Sequence, residues 1–172
     1  MKTSKFVVSA PTRADLAGGT LDLWPLYCLV GAARTINVSL DLNAVCTFEI
    51  STNSTQVIEI QNAEGVSFSF TEPQLGLNLE TVAREIRFPV AIVSRFFSQN
   101  FIKENFHLKI KCETQAPVGS GLGGSSTLCV ALLKGLVYLT EQFQNEGWEW
   151  KLMEWARDVE AQYLKTPTGT QD

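Results

Sequence analysis

The chain has 172 residues and a mass of 19.0 kDa, enough for one domain, since a chain near this size buries roughly 70% of its unfolded surface. Hydrophobic residues at 45% against 19% charged exclude a disordered, collagen-like or coiled-coil chain. The net charge of −4, with no run of like charges, argues against a nucleic-acid or membrane partner. A bound phosphate must then be held by local geometry rather than by a basic surface.

Cys28, Cys46, Cys112 and Cys129 form no CxxC pair, and the single histidine, His107, has no metal-like neighbour. These spacings argue against zinc and for four reduced, mostly buried thiols, because free cysteine packs as a small hydrophobe. The N-terminus lacks the apolar run and cleavage site of a secretory leader, and no apolar run approaches the roughly 20 residues that span a bilayer. The chain reads as soluble and cytoplasmic.

In chain order, Phe6–Val8 predicts a short strand, followed by a loop from Ala10 to about Tyr27. From Leu40 to Ile50 apolar and polar residues alternate, as in a half-buried strand. Val57–Ile60 and Val66–Phe70 predict two more strands, each after a polar turn, and the three together predict an antiparallel meander. Pro89 to Phe101 carries Val90, Val93, Phe97 and Phe101 at helical spacing, with Pro89 suited to a first turn. Phe106–Glu113 alternates and predicts one more strand. Ser126–Leu139 is apolar on nearly every face and predicts a buried helix. Trp148, Leu152, Trp155, Val159 and Tyr163 form the core-facing stripe of a last helix. Strands with intervening helices make the fold class α+β.

Between the last strand and the buried helix lies Pro117–Thr127, PVGSGLGGSST. Glycine lets a ligand approach the backbone closely. Successive N–H groups in such a turn form an anion-binding concavity, and a helix N-terminus adds partial positive charge. A nucleotide's phosphates suit that place. The hydroxyls of Ser125, Ser126 and Thr127 either cap the helix or contact phosphate and magnesium. Gly119, Gly121 and Gly124 also satisfy the dinucleotide pattern GxGxxG, but the preceding strand alternates where a Rossmann strand is buried on both faces. A Walker loop fails for want of a lysine after the last glycine. The remaining reading is a Gly/Ser turn capped by serine.

Ala10–Tyr27, APTRADLAGGTLDLWPLY, places Arg13, Thr20 and Asp22 in a glycine-containing loop, and loops carrying charge tend to hold function. Arg13 and Asp22 could equally form a structural ion pair. Pro167 and Gly169 break the last helix shortly before Asp172, so the chain is expected to be part of a longer one.

Three segments in order resemble those of the GHMP small-molecule kinases, the galactokinase, homoserine, mevalonate and phosphomevalonate kinases. PVGSGLGGSS resembles the family's phosphate loop. APTRADLAGGTLDLWPLY resembles its first motif, in the form closest to the heptose-phosphate and fucose kinase branch. Glu160 and Asp172 resemble the family's E…GxxxGxxDQ segment. Gly19-Thr20 stands where galactokinases carry Glu-His, so galactose itself is not supported.

The resemblance implies a GHMP-kinase N-terminal ATP-binding domain over residues 1–172, lacking the family's C-terminal domain. The implied fold is a ribosomal-protein-type two-layer α+β fold, with a mixed, mainly antiparallel sheet, helices on one face and a left-handed βαβ crossover. It implies ATP phosphates held by Pro117, Gly119, Ser120, Gly121, Leu122, Gly123, Gly124, Ser125 and Ser126. Magnesium falls to Ser126 and Glu160, catalysis to Asp172 and Arg13, and substrate binding to Thr20 and Asp22. The implied activity is ATP-dependent phosphorylation of a sugar or sugar-phosphate hydroxyl, of heptose-phosphate, fucose or galactose type. The alternatives are a mevalonate- or homoserine-type kinase or a non-catalytic nucleotide-binding fragment. The partners expected are a small molecule and, in a homodimer, a second copy, with neither nucleic acid nor membrane.

Overall fold

Alternation of apolar and polar side chains builds the frame of the molecule. In the computed structural model, which describes residues 4–21, 23, 26–31, 34–52, 55–71, 77–99, 105–144, 146–165 and 169, β1 (Ser4–Ala17) pairs antiparallel with β2 (Ile36–Thr52). β3 (Val57–Asn62) pairs antiparallel with β4 (Ser67–Phe70) and parallel with β5 (Phe106–Thr114), which pairs antiparallel with β2. The sheet order is β1-β2-β5-β3-β4.

The register sets Cys46 opposite Cys112, Phe48 opposite Ile110 and Ile50 opposite Leu108. All six side chains are buried, with Ile58 and Ile60 of β3 beside them. Against this face lies α3 (Gly124–Leu139), which packs on β1, β2 and β5. It is flanked by α2 (Arg87–Gln99) and α4 (Trp148–Leu164). A short α1 (Leu26–Val30) follows β1. The opposite face is charged. There Lys5 pairs with Glu49, Lys109 with Glu59 and Lys111 with Glu113, surface pairs each worth little to stability.

Close packing explains one glycine inside α3. A Cβ on Gly135 would fall 2.2 Å from the Phe48 ring. That ring stacks on Phe6 with centroids 4.9 Å apart, so helix and sheet meet where only a hydrogen fits.

The α+β class and the helical layer on one face match expectation, as does the α4 stripe: Val159 is buried, Trp148, Leu152 and Trp155 pack against the core, and Tyr163 meets the Phe88 ring. Two readings are corrected. The meander is not formed, because β5 inserts between β2 and β3 and only β3–β4 is a hairpin. Four residues link Thr52 to Val57, enough to cross the roughly 10 Å of two strand spacings. The first strand does not end near Val8 but runs to Ala17, so half of the expected Ala10–Tyr27 loop is strand. The four thiols are free and mostly buried, as expected: Cys46, Cys112 and Cys129 are buried and Cys28 is exposed. Burial pushes the Cys129 thiol upward, and the Glu160 charge adds to it. The predicted helix end at Phe101 lies outside the described residues. β4 and α2 connect the parallel strands β3 and β5.

Candidate functional site

The glycine loop leaves β5 and opens α3. Gly119, Gly121 and Gly123 all have positive φ, between 67° and 76°, a region costly to any residue with a Cβ. At Gly121 a Cβ would meet nothing within 4 Å, whereas at Gly123 it would fall 2.2 Å from Arg13 Nη1. The first glycine is needed for its turn alone, and the second also for the guanidinium lying against it.

Gly123 is the N-cap of α3 and supplies no side chain to it. Nor do the hydroxyls behind it cap the helix. Ser125 Oγ donates to Glu160 Oε1 at 2.5 Å and Ser126 Oγ to Glu160 Oε2 at 2.7 Å, while Thr127 Oγ1 donates back to the Gly123 carbonyl at 2.8 Å. This excludes the serine-capped turn. The first-turn N–H groups, which have no intrahelical acceptor, remain as a positive helix end facing the loop.

Glu160 comes from α4, 3% exposed, so its carboxylate is held between two α3 hydroxyls rather than by water. The loop, Glu160, Thr114, Leu128 and the first turn of α2 (Phe88, Pro89) line a cleft of 590 Å³. Hard oxygens from Ser126 and Glu160 converge at its edge. That donor set fits magnesium, which takes one or two protein oxygens and completes its octahedron with water and phosphate. Among the described residues no group of three or more His, Cys, Asp or Glu could hold a metal alone.

Arg13 reaches the loop from β1. Its N–H points to the Leu122 carbonyl at 3.4 Å, and its Nε lies 3.3 Å from Asp15 Oδ1. The structure therefore joins Arg13, the loop from Pro117 to Ser126, and Glu160. Thr20 is exposed in the turn after β1, where the Leu23 N–H meets its carbonyl. Asp22 and Asp172 lie outside the described residues. Asp15 escaped the sequence reading, although residues i and i+2 of a strand share a face; reading that stretch as loop hid the signal. The α2 wall, Phe88 and Pro89, carries no local pattern that marks it.

The family model for the GHMP kinases N terminal domain matches residues 87–172. The chain belongs to the GHMP kinases. It is 31% identical over 140 residues to the bifunctional fucokinase/GDP-fucose pyrophosphorylase of Arabidopsis thaliana, a match covering 77% of this chain and 13% of that one. It is 27% identical to the D-glycero-alpha-D-manno-heptose 7-phosphate kinase of Campylobacter jejuni, over 100% of this chain and 47% of the relative. The crystal structure of a D-glycero-D-manno-heptose 1-phosphate kinase from Bacteroides thetaiotaomicron superposes with a TM-score of 0.73 at 29% identity, covering 97% of this chain and 52% of that one. The chain thus spans about half the length, or less, of the proteins it matches.

Proposed function

We propose that this chain is the nucleotide-binding half of an ATP- and magnesium-dependent kinase that phosphorylates a hydroxyl of a sugar or sugar phosphate, of the heptose-phosphate or fucose type, in the cytoplasm. One observation carries the reading. An uncapped helix N-terminus, approached through three left-handed glycines, faces a 590 Å³ cleft beside a carboxylate clamped by Ser125 and Ser126.

The N–H groups of Gly119–Ser126 would cradle the phosphates, and Ser126 with Glu160 would hold magnesium. Magnesium bound there would neutralise charge on the transferring phosphoryl group. Arg13, fixed by Asp15 and seated against Gly123, would orient and stabilise the same group. Asp22 and Thr20 would bind sugar hydroxyls, and Asp172 would accept the proton of the attacking hydroxyl. A second domain, which the relatives' length leaves room for, would complete the cleft.

Calorimetry with Mg–ATP tests the loop: Gly121→Val should weaken binding at least about 10-fold, and unchanged affinity would reduce the loop to a turn. In the complete gene product, Asp172→Asn should lower turnover by about 10²–10⁴-fold, the usual worth of general-base assistance. Asp22→Asn should mainly raise KM for the sugar.

A further inference from the structure

The helical layer holds a second cavity, toward the opposite end of α3 from the glycine loop. It measures about 220 Å³ and shares no lining residue with the phosphate cleft. α4 lays Trp148, Leu152 and Trp155 over it, positions that fall on one helix face. The buried Leu133 and Val137 of α3 close it from below. Phe96 of α2 meets Trp155 edge to face, with centroids 5.5 Å apart and planes at 84°. Three aromatic rings from two helices thus bound the space, and rings so arranged favour a further flat ring against an edge or a face. A cavity of about 150 Å³ takes up benzene, so a single ring with a short arm fits here.

The polar groups select among such rings. Trp155 Nε1 donates to Gln99 Oε1 at 3.1 Å, which engages the amide oxygen and leaves its NH2 as a donor. Lys151 is the one charged side chain among the described residues lining the cavity, and among the described residues it makes no ion pair. Gln142, whose amide can donate or accept, adds no preference. The occupant must therefore bring an acceptor and a negative charge. We propose that this cavity is a binding site for a small aromatic carboxylate, its ring seated among Phe96, Trp148 and Trp155 and its carboxylate on Lys151 and Gln99. The site is separate from the nucleotide cleft and does not depend on the kinase reading.

Trp148 and Trp155 report occupancy directly. Phenylacetate titrated into the chain should quench its intrinsic fluorescence saturably, with the same midpoint whether or not Mg–ATP is present. By calorimetry, the neutral phenylacetamide should bind about 5-fold more weakly than phenylacetate, the worth of an ion pair at a rim. Lys151→Met should remove that difference and leave phenylacetamide affinity unchanged. Leu152→Trp, which fills the space, should abolish binding of both probes. Absence of saturable quenching would overturn the proposal, as would equal affinity of the unaltered chain for acid and amide. Displacement of phenylacetate by Mg–ATP would put the probe in the phosphate cleft and overturn it too, and so would full binding by Leu152→Trp. Should Leu152→Trp fail to fold, Lys151→Met decides, since that position is exposed and its substitution leaves the core intact.

Discussion

The two ends of α3 use glycine for opposite purposes. At the N-terminus, Gly121 faces open space and is required by its backbone angle; at Gly135, inside the helix, the backbone is ordinary and the space is missing. One end is polar and uncapped, and the other is dry and pressed against Phe48. The contrast teaches that a glycine's role is read from what surrounds it, and that a single helix can carry a ligand site and a packing seam.

Substitutions break this contrast in graded steps. The largest effect should come from Gly135→Val. Helix propensity would gain slightly, but driving side-chain carbons into a ring already stacked on Phe6 should cost about 3 kcal/mol or more. The urea midpoint should fall sharply, while Mg–ATP affinity of the remaining folded protein stays unchanged. Glu160→Gln comes next. It removes a buried charge from two hydroxyl donors, and a hydrogen bond to a charged group is worth about 1.5–3 kcal/mol. The magnesium-dependent part of ATP affinity should fall about 10- to 100-fold. An unchanged magnesium titration would leave Glu160 as a structural brace between α3 and α4.

Gly121→Val should cost about 1–2 kcal/mol of stability through its left-handed angle, less than at Gly135, with its main damage in nucleotide binding. Ser125→Ala removes one of the two donors to Glu160 and should cost about 1.5 kcal/mol, the low end of the range for a charged partner because Ser125 is exposed, visible in thermal unfolding. The smallest effect belongs to the charged sheet face. The hydrogen bond and charge of Lys5 hold the Glu49 carboxyl below its ordinary 4.5. The pair therefore contributes above that pH, and the contribution is lost as acid protonates Glu49. Because both groups are exposed, Lys5→Ala should lower the neutral-pH unfolding midpoint only marginally and flatten its decline in acid by the same small amount.

What the sequence disclosed follows the range of the forces involved. The glycine loop, the buried helix behind it and the stripe on α4 were legible because each is written in neighbouring residues. Glu160 was found by resemblance and then met its serines in space. The place of β5 was not legible, because its alternation fits any position in a sheet whose partners lie far away in the chain. Asp15 was missed for a related reason. The bulges after Pro11 and Asp15 interrupt the alternation that would have marked β1 as continuing, so Arg13 and Asp15 looked like loop residues.

The insertion of β5 between β2 and β3 also bears on how the molecule is made. β2 and β3 are finished by residue 62, yet the strand that separates them is not complete until residue 114. The native sheet therefore cannot close while the chain is still short, and the first strand to reach the edge of β2 that β1 leaves free is β3. Contacts so distant in sequence slow folding, since a long loop must be ordered before they form. A direct β2–β3 hairpin is the natural competitor, and the apolar face of β5, which seats Phe106, Leu108 and Ile110 in the core, is what draws the chain out of it.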